Sequence, residues 1–201
     1  MLIAASLTVA SLFPLTAQSR KAYNFEGGQS VASAGATGAR IPAKGDVEYA
    51  FSPNGGAVAL VVKTIQSARS EVRVLAYSFT SADVTAALIA AKKRGVDVKV
   101  LVDYKNNTAQ DASGKAQAAL NAMSVAGISV RTIAAFPIHH DKVVIVDQQS
   151  VQTGSFNYSQ AAERSNSENV IVLWNNPALA NGYLQHWAGN WQLGLDFKEK
   201  F

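Results

Sequence analysis

The chain has 201 residues, of which 48% are hydrophobic and 16% are charged, and its formal net charge is +4. This composition is typical of a folded domain and excludes an intrinsically disordered chain. The absence of cysteine excludes disulfides, thiolate metal sites and a cysteine nucleophile, and the modest basic excess favours a polyanionic partner such as nucleic acid or a lipid surface.

The amino-terminal segment, residues 1–17, is apolar from Leu2 to Ala17 and is short for a membrane span, which takes about 20 residues. It is typical of a secretory signal peptide cleaved after Ala17, although no Lys or Arg precedes it and Leu15 stands where a small residue is usual. We therefore predict a periplasmic or secreted protein; an uncleaved anchor and a misassigned start are the alternatives. Residues 18–46, rich in Gly, Ala and Ser, predict a flexible lead-in.

From Val47 onward, strand and helix patterns alternate. Predicted strands cover 47–51, 71–79, 96–103, 128–134, 141–147 and 169–174, with 150–157 as a strand or turn. Predicted helices cover 57–69, 80–95 with an N-cap at Thr80 or Ser81, 110–126, 159–166, and a closing segment that begins after an Asn176 cap. This alternation predicts one α/β domain over residues 47–201, with a mixed β-sheet flanked by helices on both faces. No Gly-rich phosphate loop of the nucleotide-binding kind is present.

The segment HHDKVVIVD, residues 139–147, is the first candidate for chemistry. Side chains of an extended strand alternate between two faces, so His140 and Lys142 share one face and His139 and Asp141 share the other. The lysine therefore selects His140 as the reactive histidine. His139 is expected to be a loop-end or packing residue.

The segment GSFN, residues 154–157, supplies the second half of the candidate site. If it is extended, Ser155 and Asn157 share a face and Phe156 turns into the core. An ammonium group, a hydroxyl and an amide then gather near one imidazole, which suits a tetrahedral oxyanion such as a phosphodiester. We expect Lys142 and Asn157 to hold its non-bridging oxygens. The two segments together fix six residues at a set spacing: His140, Lys142, Asp147, Gly154, Ser155 and Asn157. With ordinary residue frequencies, such a match arises by chance at roughly 10⁻⁸ per starting position.

This spacing, with Asp147 and Gly154 in the remaining motif positions, resembles the signature of the phospholipase D superfamily. The resemblance extends from Val47 to the end, in stretches such as AYSFTS, AAKKRGVDVKVLVD, TGSFNYSQAAE and NSENV. It is to small single-motif bacterial endonucleases that resist chelators, and it implies an exported, non-specific nuclease that works as a homodimer. The expected substrate is nucleic acid, with DNA first and RNA as a further possibility. The resemblance also implies that a glutamate after GSxN orients the histidine. That residue is Glu168 here, with Glu163 as a rival in a predicted helix.

A single imidazole is insufficient for the reaction. Hydrolysis through a covalent intermediate needs a nucleophile and, on the opposite side of phosphorus, an acid for the leaving oxygen. His139 faces away from His140, and His186, among aromatic residues of the closing helix, is expected to pack or cap. The simplest second imidazole is His140 of a second copy related by a two-fold axis. One His140 then forms a phosphohistidine and the other donates a proton and afterwards activates water, while Glu168 favours the charged ring.

The same segment also allows an alternative hypothesis, a metal-dependent hydrolase. His139, His140, Asp141 and Asp147 are possible ligands of a hydrolase ion. Neighbouring side chains on a strand splay apart, however, and a metal leaves GSxN unexplained. We predict no metal and no cofactor, because the motif lysine and asparagine already supply charge stabilisation. Asp147 is expected to stabilise the strand–turn geometry instead.

Basic residues outside the motif favour a non-specific nuclease. Lys92–Arg94, Lys99, Lys105 and Arg131 are candidate phosphate contacts, although Lys92–Arg94 also suit the end of a helix. Phosphate contacts carry no sequence information. The main alternative is a phospholipase D-type lipid phosphodiesterase. A nucleic-acid-binding module with an inactive site is disfavoured because no motif residue is missing.

Overall fold

The computed structural model of the protein describes residues 39–199. The predicted signal peptide, residues 1–17, lies outside the described residues, as does most of the predicted lead-in. The strands are β1 (Val47–Ser52), β2 (Glu71–Ala76), β3 (Asp97–Asp103), β4 (Ser129–Ile133), β5 (Lys142–Val146), β6 (Ser150–Gly154), β7 (Glu168–Leu173) and β8 (Leu195–Asp196). The helices are α1 (Ala57–Gln66), α2 (Ala82–Lys93), α3 (Lys115–Val125), α4 (Gln160–Arg164) and α5 (Pro177–Leu193), and a π-helical turn covers Lys105–Ala109.

The described strands form one mixed sheet in the order β1-β7-β6-β5-β2-β3-β4-β8. β2, β3 and β4 run parallel to one another, and the remaining neighbours pair antiparallel. The parallel strands are joined by α2 and α3, as a crossover requires. The prediction of one α/β domain is confirmed.

Alternating side chains of the strands build a core on each face of the sheet. On β5, Val144 and Val146 belong to the core that contains residues of α1, α2 and α3, whereas Val143 and Ile145 belong to the core under α5. Trp187 of α5 is buried at the sheet. The predicted helical layers on both faces are therefore confirmed.

Several element boundaries differ from the sequence-based expectation. β5 begins at Lys142, so residues 139–141 precede the strand. β2 ends at Ala76, three residues early, because the Asn107 side chain takes over the hydrogen bonding: Oδ1 accepts from the Phe79 amide at 2.8 Å and Nδ2 donates to the Tyr77 carbonyl. The π-helical turn that carries Asn107 was not predicted, nor was β8. Within residues 39–199, no helix combines the length and hydropathy needed to cross a membrane.

Candidate active site

Apart from Asp147, the motif residues meet at one edge of the sheet. β2 ends at Ala76, which pairs with Lys142 at the start of β5, and β3 ends beside them at Asp103. β6 ends at Gly154, and β7 begins at Glu168. Ligands of open α/β sheets bind at the edge where parallel strands end. The topology therefore collects both halves of the motif at the edge that suits a site.

His140 and Lys142 lie beside an aromatic ring. His140 is exposed, and its ring centroid is 4.6 Å from that of Tyr77. Lys142 is buried, and its Nζ lies 5.2 Å from the Tyr77 centroid and donates a 2.8 Å hydrogen bond to the His140 carbonyl. Burial lowers the pKa of Lys142, and the carboxylates of Asp141 and Glu168 oppose the shift. The arrangement presents a cation next to an accessible imidazole.

The loop that carries His140 is anchored by Asp103. Its Oδ2 accepts a 2.9 Å hydrogen bond from the backbone amide of His139, and Oδ1 accepts one of 2.7 Å from the amide of Asn106. The His139 side chain is buried and stacks near Phe136, with ring centroids 6.4 Å apart. Burial lowers the pKa of His139, against the opposing effects of Asp141 and Asp103. The sequence analysis did not identify Asp103. Its position as an acidic residue at the end of an apolar strand was the feature that could have indicated a role at the site.

Gly154 begins a bulge that presents the GSFN segment. Its φ is +149°, and a Cβ atom there would lie 2.2 Å from the Asn169 carbonyl oxygen. That same oxygen accepts from the amides of Ser155 at 3.1 Å and Phe156 at 3.3 Å. Two residues that follow β6 therefore lie opposite one residue of β7, which is the pattern of a β-bulge. Phe156 is fully buried and Ser155 is exposed. Oδ1 of Asn157 is buried and has no hydrogen-bond partner among the described residues.

Glu168 lies against Ser155. The Ser155 hydroxyl donates a 2.6 Å hydrogen bond to Oε2 of Glu168, and the Asn166 amide donates one of 3.0 Å to Oε1. Glu163, the rival from the sequence, lies in α4 with its Oε1 3.9 Å from Nε of Arg164. The structure thus brings Glu168 to the GSFN bulge.

Asp147 lies at the far end of β5 from Lys142. Its φ is +51°, and its carboxylate accepts from the backbone amides of Arg69, Ser70 and Glu71 at 2.8, 2.8 and 2.9 Å. These contacts join the β5–β6 turn to the segment that enters β2. Asp147 is therefore remote from the reactive residues.

Most of the candidate phosphate-binding cations lie away from the site. Lys92–Arg94 end α2 at the opposite edge of the sheet, just before β3 begins. Lys99 lies 3.8 Å from an Asp97 carboxylate oxygen, and Arg131 donates a 2.7 Å hydrogen bond to Asp196. Lys105 is exposed and lies two residues after Asp103, at the end of β3. Of this set, Lys105 is the one that follows a strand end at the site edge.

The expectation that His186 packs or caps is wrong. Its side chain is 54% exposed, and Nε2 lies 2.9 Å from Oδ2 of Asp141. α5 buries Ala180, Trp187 and Asn190 against the sheet, so His186 falls at the margin of the buried face. The carboxylate of Asp141 is thereby tied to α5.

The ligands of the alternative metal reading do not converge. Asp141 is bound by His186 on the α5 face, His140 is beside Tyr77, and Asp147 is at the other end of β5. Across residues 39–199, no group of three or more His, Cys, Asp or Glu side chains is arranged to hold a metal ion. The donor set therefore does not fit a hydrolase ion.

Comparison with known proteins identifies the family. Residues 61–191 match the family model described as "Cardiolipin synthase, PLD-like domain", which is more than half of the chain. The chain belongs to the phospholipase D superfamily. It is accordingly a hydrolase of the phosphodiesterase type.

Individual members of this superfamily are similar over most of the domain. The chain is 48% identical to the phospholipase D family member Nuc of Salmonella typhimurium, with a TM-score of 0.73, covering 76% of this chain and 98% of that one. It is 39% identical to a "Phospholipase D" of Rickettsia bellii over 141 residues, which are 70% of this chain and 67% of that protein. It is 30% identical to a "Mitochondrial cardiolipin hydrolase" of Danio rerio over 66% of this chain and 56% of that protein.

Proposed function

We propose that this phospholipase D superfamily member is a metal-independent, non-specific endonuclease that forms a phosphohistidine intermediate at a homodimer interface. The supporting observation is that exposed His140, buried Lys142 and the Ser155–Glu168 pair lie at one sheet edge. Phosphodiester hydrolysis needs a nucleophile, a cation for the phosphate oxygens and a carboxylate for the charged ring, and His140, Lys142 and Glu168 are of these types.

The proposed reaction has two steps. Neutral His140 of one chain attacks phosphorus in line, a nitrogen–phosphorus bond forms, and the bond to the leaving oxygen breaks as that oxygen takes a proton from His140 of the second chain. The second imidazole, now neutral, accepts a proton from water, whose oxygen displaces the first histidine from phosphorus. Lys142 and Asn157 stabilise the non-bridging oxygens throughout. Glu168 is the carboxylate proposed to hold the charged ring.

The need for a second chain follows from where the other histidines lie. The His139 side chain is buried and His186 is bound to Asp141 on the α5 face, so neither is available to a phosphate attached to the exposed His140. A two-fold axis near the site supplies the second His140 without any new residue type.

An exposed apolar strand supports contact with a second copy. Val47, Tyr49 and Phe51 of β1 are 59%, 69% and 55% exposed, and the rings of Tyr49 and Phe51 lie 5.6 Å apart. β1 is an edge strand of the sheet, and Phe51 pairs with Asn169, beside Glu168 of the site. Apolar patches on edge strands are rarely left uncovered.

Nucleic acid is the substrate favoured by charge and resemblance. The chain carries a net charge of +4, and Lys105 stands at the site edge. The resemblance to single-motif endonucleases spans nearly the whole domain. The names of the Rickettsia and Danio relatives support the alternative, a lipid phosphodiesterase. The proposed periplasmic or secreted location depends on the sequence of residues 1–17.

A mixed-dimer measurement tests the shared site. Wild-type chains and His140→Ala chains are co-expressed with different affinity tags, and the heterodimer is isolated. We expect it to be nearly as inactive as the His140→Ala homodimer, because one imidazole is missing from a common site. A heterodimer with half the wild-type turnover, or a fully active monomer on sizing, contradicts the proposal. Pairing with Gln185→Ala, an exposed change on α5, is the matched control.

A substrate comparison separates the two candidate functions. Mature protein is incubated with plasmid DNA and with phospholipid vesicles, each with and without excess EDTA. We expect DNA to be cut without sequence preference and at the same rate with chelator. Hydrolysis of vesicles alone would favour the lipid phosphodiesterase, and loss of activity with EDTA, restored by a divalent ion, would favour a metal enzyme.

A further inference from the structure

On the α5 face of the sheet, His186 pairs with Asp141, a residue of the segment that carries His140 and Lys142. Nε2 of His186 is 2.9 Å from Oδ2 of Asp141, and Asp141 stands between His140 and Lys142 in the chain. Nδ1 of His139 is 3.7 Å from the same carboxylate oxygen. The proposed reaction uses neither Asp141 nor His186, so this pair needs a separate explanation.

The contacts assign the proton on the His186 ring to Nε2. The side-chain amide of Asn190 is 3.1 Å from Nε2, but one ring nitrogen does not donate to Asp141 and accept from Asn190 in the same state. Because the carboxylate is the stronger partner, we assign the proton to Nε2, which donates to Asp141 and does not accept from the Asn190 amide. This hydrogen bond raises the pKa of His186, with partial burial opposing it. His186 in turn lowers the pKa of Asp141.

A carboxylate at position 141 is electrostatically unfavourable for a phosphate site. Both of its chain neighbours are in the phosphate-binding machinery, and its field reaches the Lys142 ammonium. An uncompensated negative charge here repels an anionic substrate, whereas a neutral ion pair does not.

Among the described residues, the charged and titratable groups that face this pair leave His186 as the available counter-charge. They are His139 on the same segment, Lys142 at the start of β5, Tyr158 after the GSFN bulge, and Asp103, which acts on His139 from the end of β3. Burial and the Asp141 carboxylate raise the pKa of Tyr158, so its phenol stays neutral and supplies no positive charge. Burial lowers the pKa of His139, which favours its neutral form. Lys142 is the cation proposed to bind the phosphate, so it is not available to Asp141. Compensation of Asp141 therefore falls to α5.

We propose that His186 is a positioning residue that acts through Asp141: its protonated ring neutralises the carboxylate, so that a phosphodiester meets Lys142 without a competing negative charge. The inference rests on the proposed function in that the substrate is a phosphodiester, whether of nucleic acid or lipid. Below the raised pKa of His186 the pair is neutral. As pH rises through that pKa, His186 loses its proton, Asp141 stays negative, and KM rises.

The test is a four-protein cycle of wild type, His186→Ala, Asp141→Asn and the double variant, with Gln185→Ala as a control on the same helix. Steady-state kinetics use bis(4-nitrophenyl) phosphate, a phosphodiester that is neither DNA nor lipid. We expect His186→Ala to raise KM roughly fivefold, about the effect of one charge near a protein surface, with a smaller change in kcat. The double variant should return to the wild-type KM, because the charge to be compensated is gone.

The KM values of the four proteins decide whether His186 compensates the charge of Asp141. A double variant as weak as His186→Ala, or an unchanged KM in His186→Ala, overturns charge compensation. Asp141→Asn provides a check if His186→Ala fails to fold, because its KM should lack the rise with pH that wild type shows; a retained rise contradicts the proposal.

Titration of the same proteins with inorganic phosphate gives a readout that needs no turnover. We expect weaker phosphate binding in His186→Ala and recovery in the double variant; equal affinities across the cycle overturn the inference. A wild type that binds phosphate but cleaves no phosphodiester contradicts the proposed function alone, and the affinities of the variants then still decide the role of His186.

Discussion

The Lys142 ammonium donates a 2.8 Å hydrogen bond to the backbone carbonyl of His140, two residues earlier in the chain. This contact holds the cation at the loop that carries the imidazole, while the Tyr77 ring, 5.2 Å from Nζ, covers it. A carbonyl oxygen is a neutral partner that a phosphate oxygen replaces with a stronger, charge-assisted bond. The cation is therefore preorganised without being neutralised.

Replacement of Lys142 by methionine tests this arrangement. Methionine keeps the apolar stem but removes the charge, and we expect kcat/KM to fall about 10²- to 10³-fold, the usual effect of losing one transition-state donor. Lys142→Arg should recover little, because the residue is 5% exposed and a planar guanidinium is larger than the ammonium it replaces. Activity of Lys142→Met within twofold of wild type would contradict the role.

Asn157 is expected to trade stability for function. Its Oδ1 is buried without a hydrogen-bond partner in the described part of the chain, and a buried acceptor without a donor costs stability. We expect Asn157→Ala to lower kcat about 10²-fold while the free energy of unfolding stays equal or rises. Urea unfolding and turnover of the same preparation measure both quantities. A parallel loss of stability and activity would indicate a structural role instead.

The two motif segments were predictable because their geometry is local. Strand alternation separated Lys142 from Asp141, and the structure has Val144 and Val143 of β5 on opposite faces in the same way. The contacts that hold the site were not predictable, because they join distant parts of the chain. Asp103 is 36 residues from His139, and no pattern in the sequence pairs them.

The contact between His186 and Asp141 was missed for a related reason. Small and aromatic residues occupy several sides of α5, so the sequence does not say which flank of the helix meets the sheet margin. His186 is 45 residues from Asp141, and helix docking alone brings them together. β8 has two residues, too few for a strand pattern. A charged residue between two motif positions was the available signal for a partner of Asp141.

Gly154 is expected to tolerate no side chain. A Cβ atom would lie 2.2 Å from the Asn169 carbonyl oxygen, and the φ of +149° disfavours any L residue. We expect Gly154→Ala to destabilise the domain by about 2 to 4 kcal/mol and to displace Ser155, with a large loss of turnover.

The matched control for this change is Gly182→Ala, on α5, where a Cβ atom meets nothing within 4 Å. It should raise stability by about 0.5 to 1 kcal/mol, since alanine is favoured over glycine inside a helix. Thermal or urea unfolding measures both variants. A Gly154→Ala protein with wild-type stability would show that the bulge is not required.

Asp147 is expected to support stability rather than chemistry. Burial alone would raise its pKa, but hydrogen bonds from the backbone amides of Glu71, Ser70 and Arg69 outweigh that effect and lower it. A carboxyl whose folded pKa lies below its unfolded value stabilises the fold above the unfolded pKa, about 3.9, and this contribution is lost as pH falls through the folded pKa. Asp147→Asn should therefore cost about 2 kcal/mol at neutral pH.

The pH dependence distinguishes this role from a catalytic one. Urea unfolding of wild type and Asp147→Asn, measured from neutral to acidic pH, should show a stability difference that shrinks below the unfolded pKa, where the carboxylate becomes protonated. Gln149→Ala, an exposed change in the same turn, should follow wild type at every pH. Turnover of Asp147→Asn at a temperature where it is folded should stay within a few-fold of wild type, because the carboxylate lies at the far end of β5 from Lys142. A variant of full stability with abolished turnover would place Asp147 in the reaction after all.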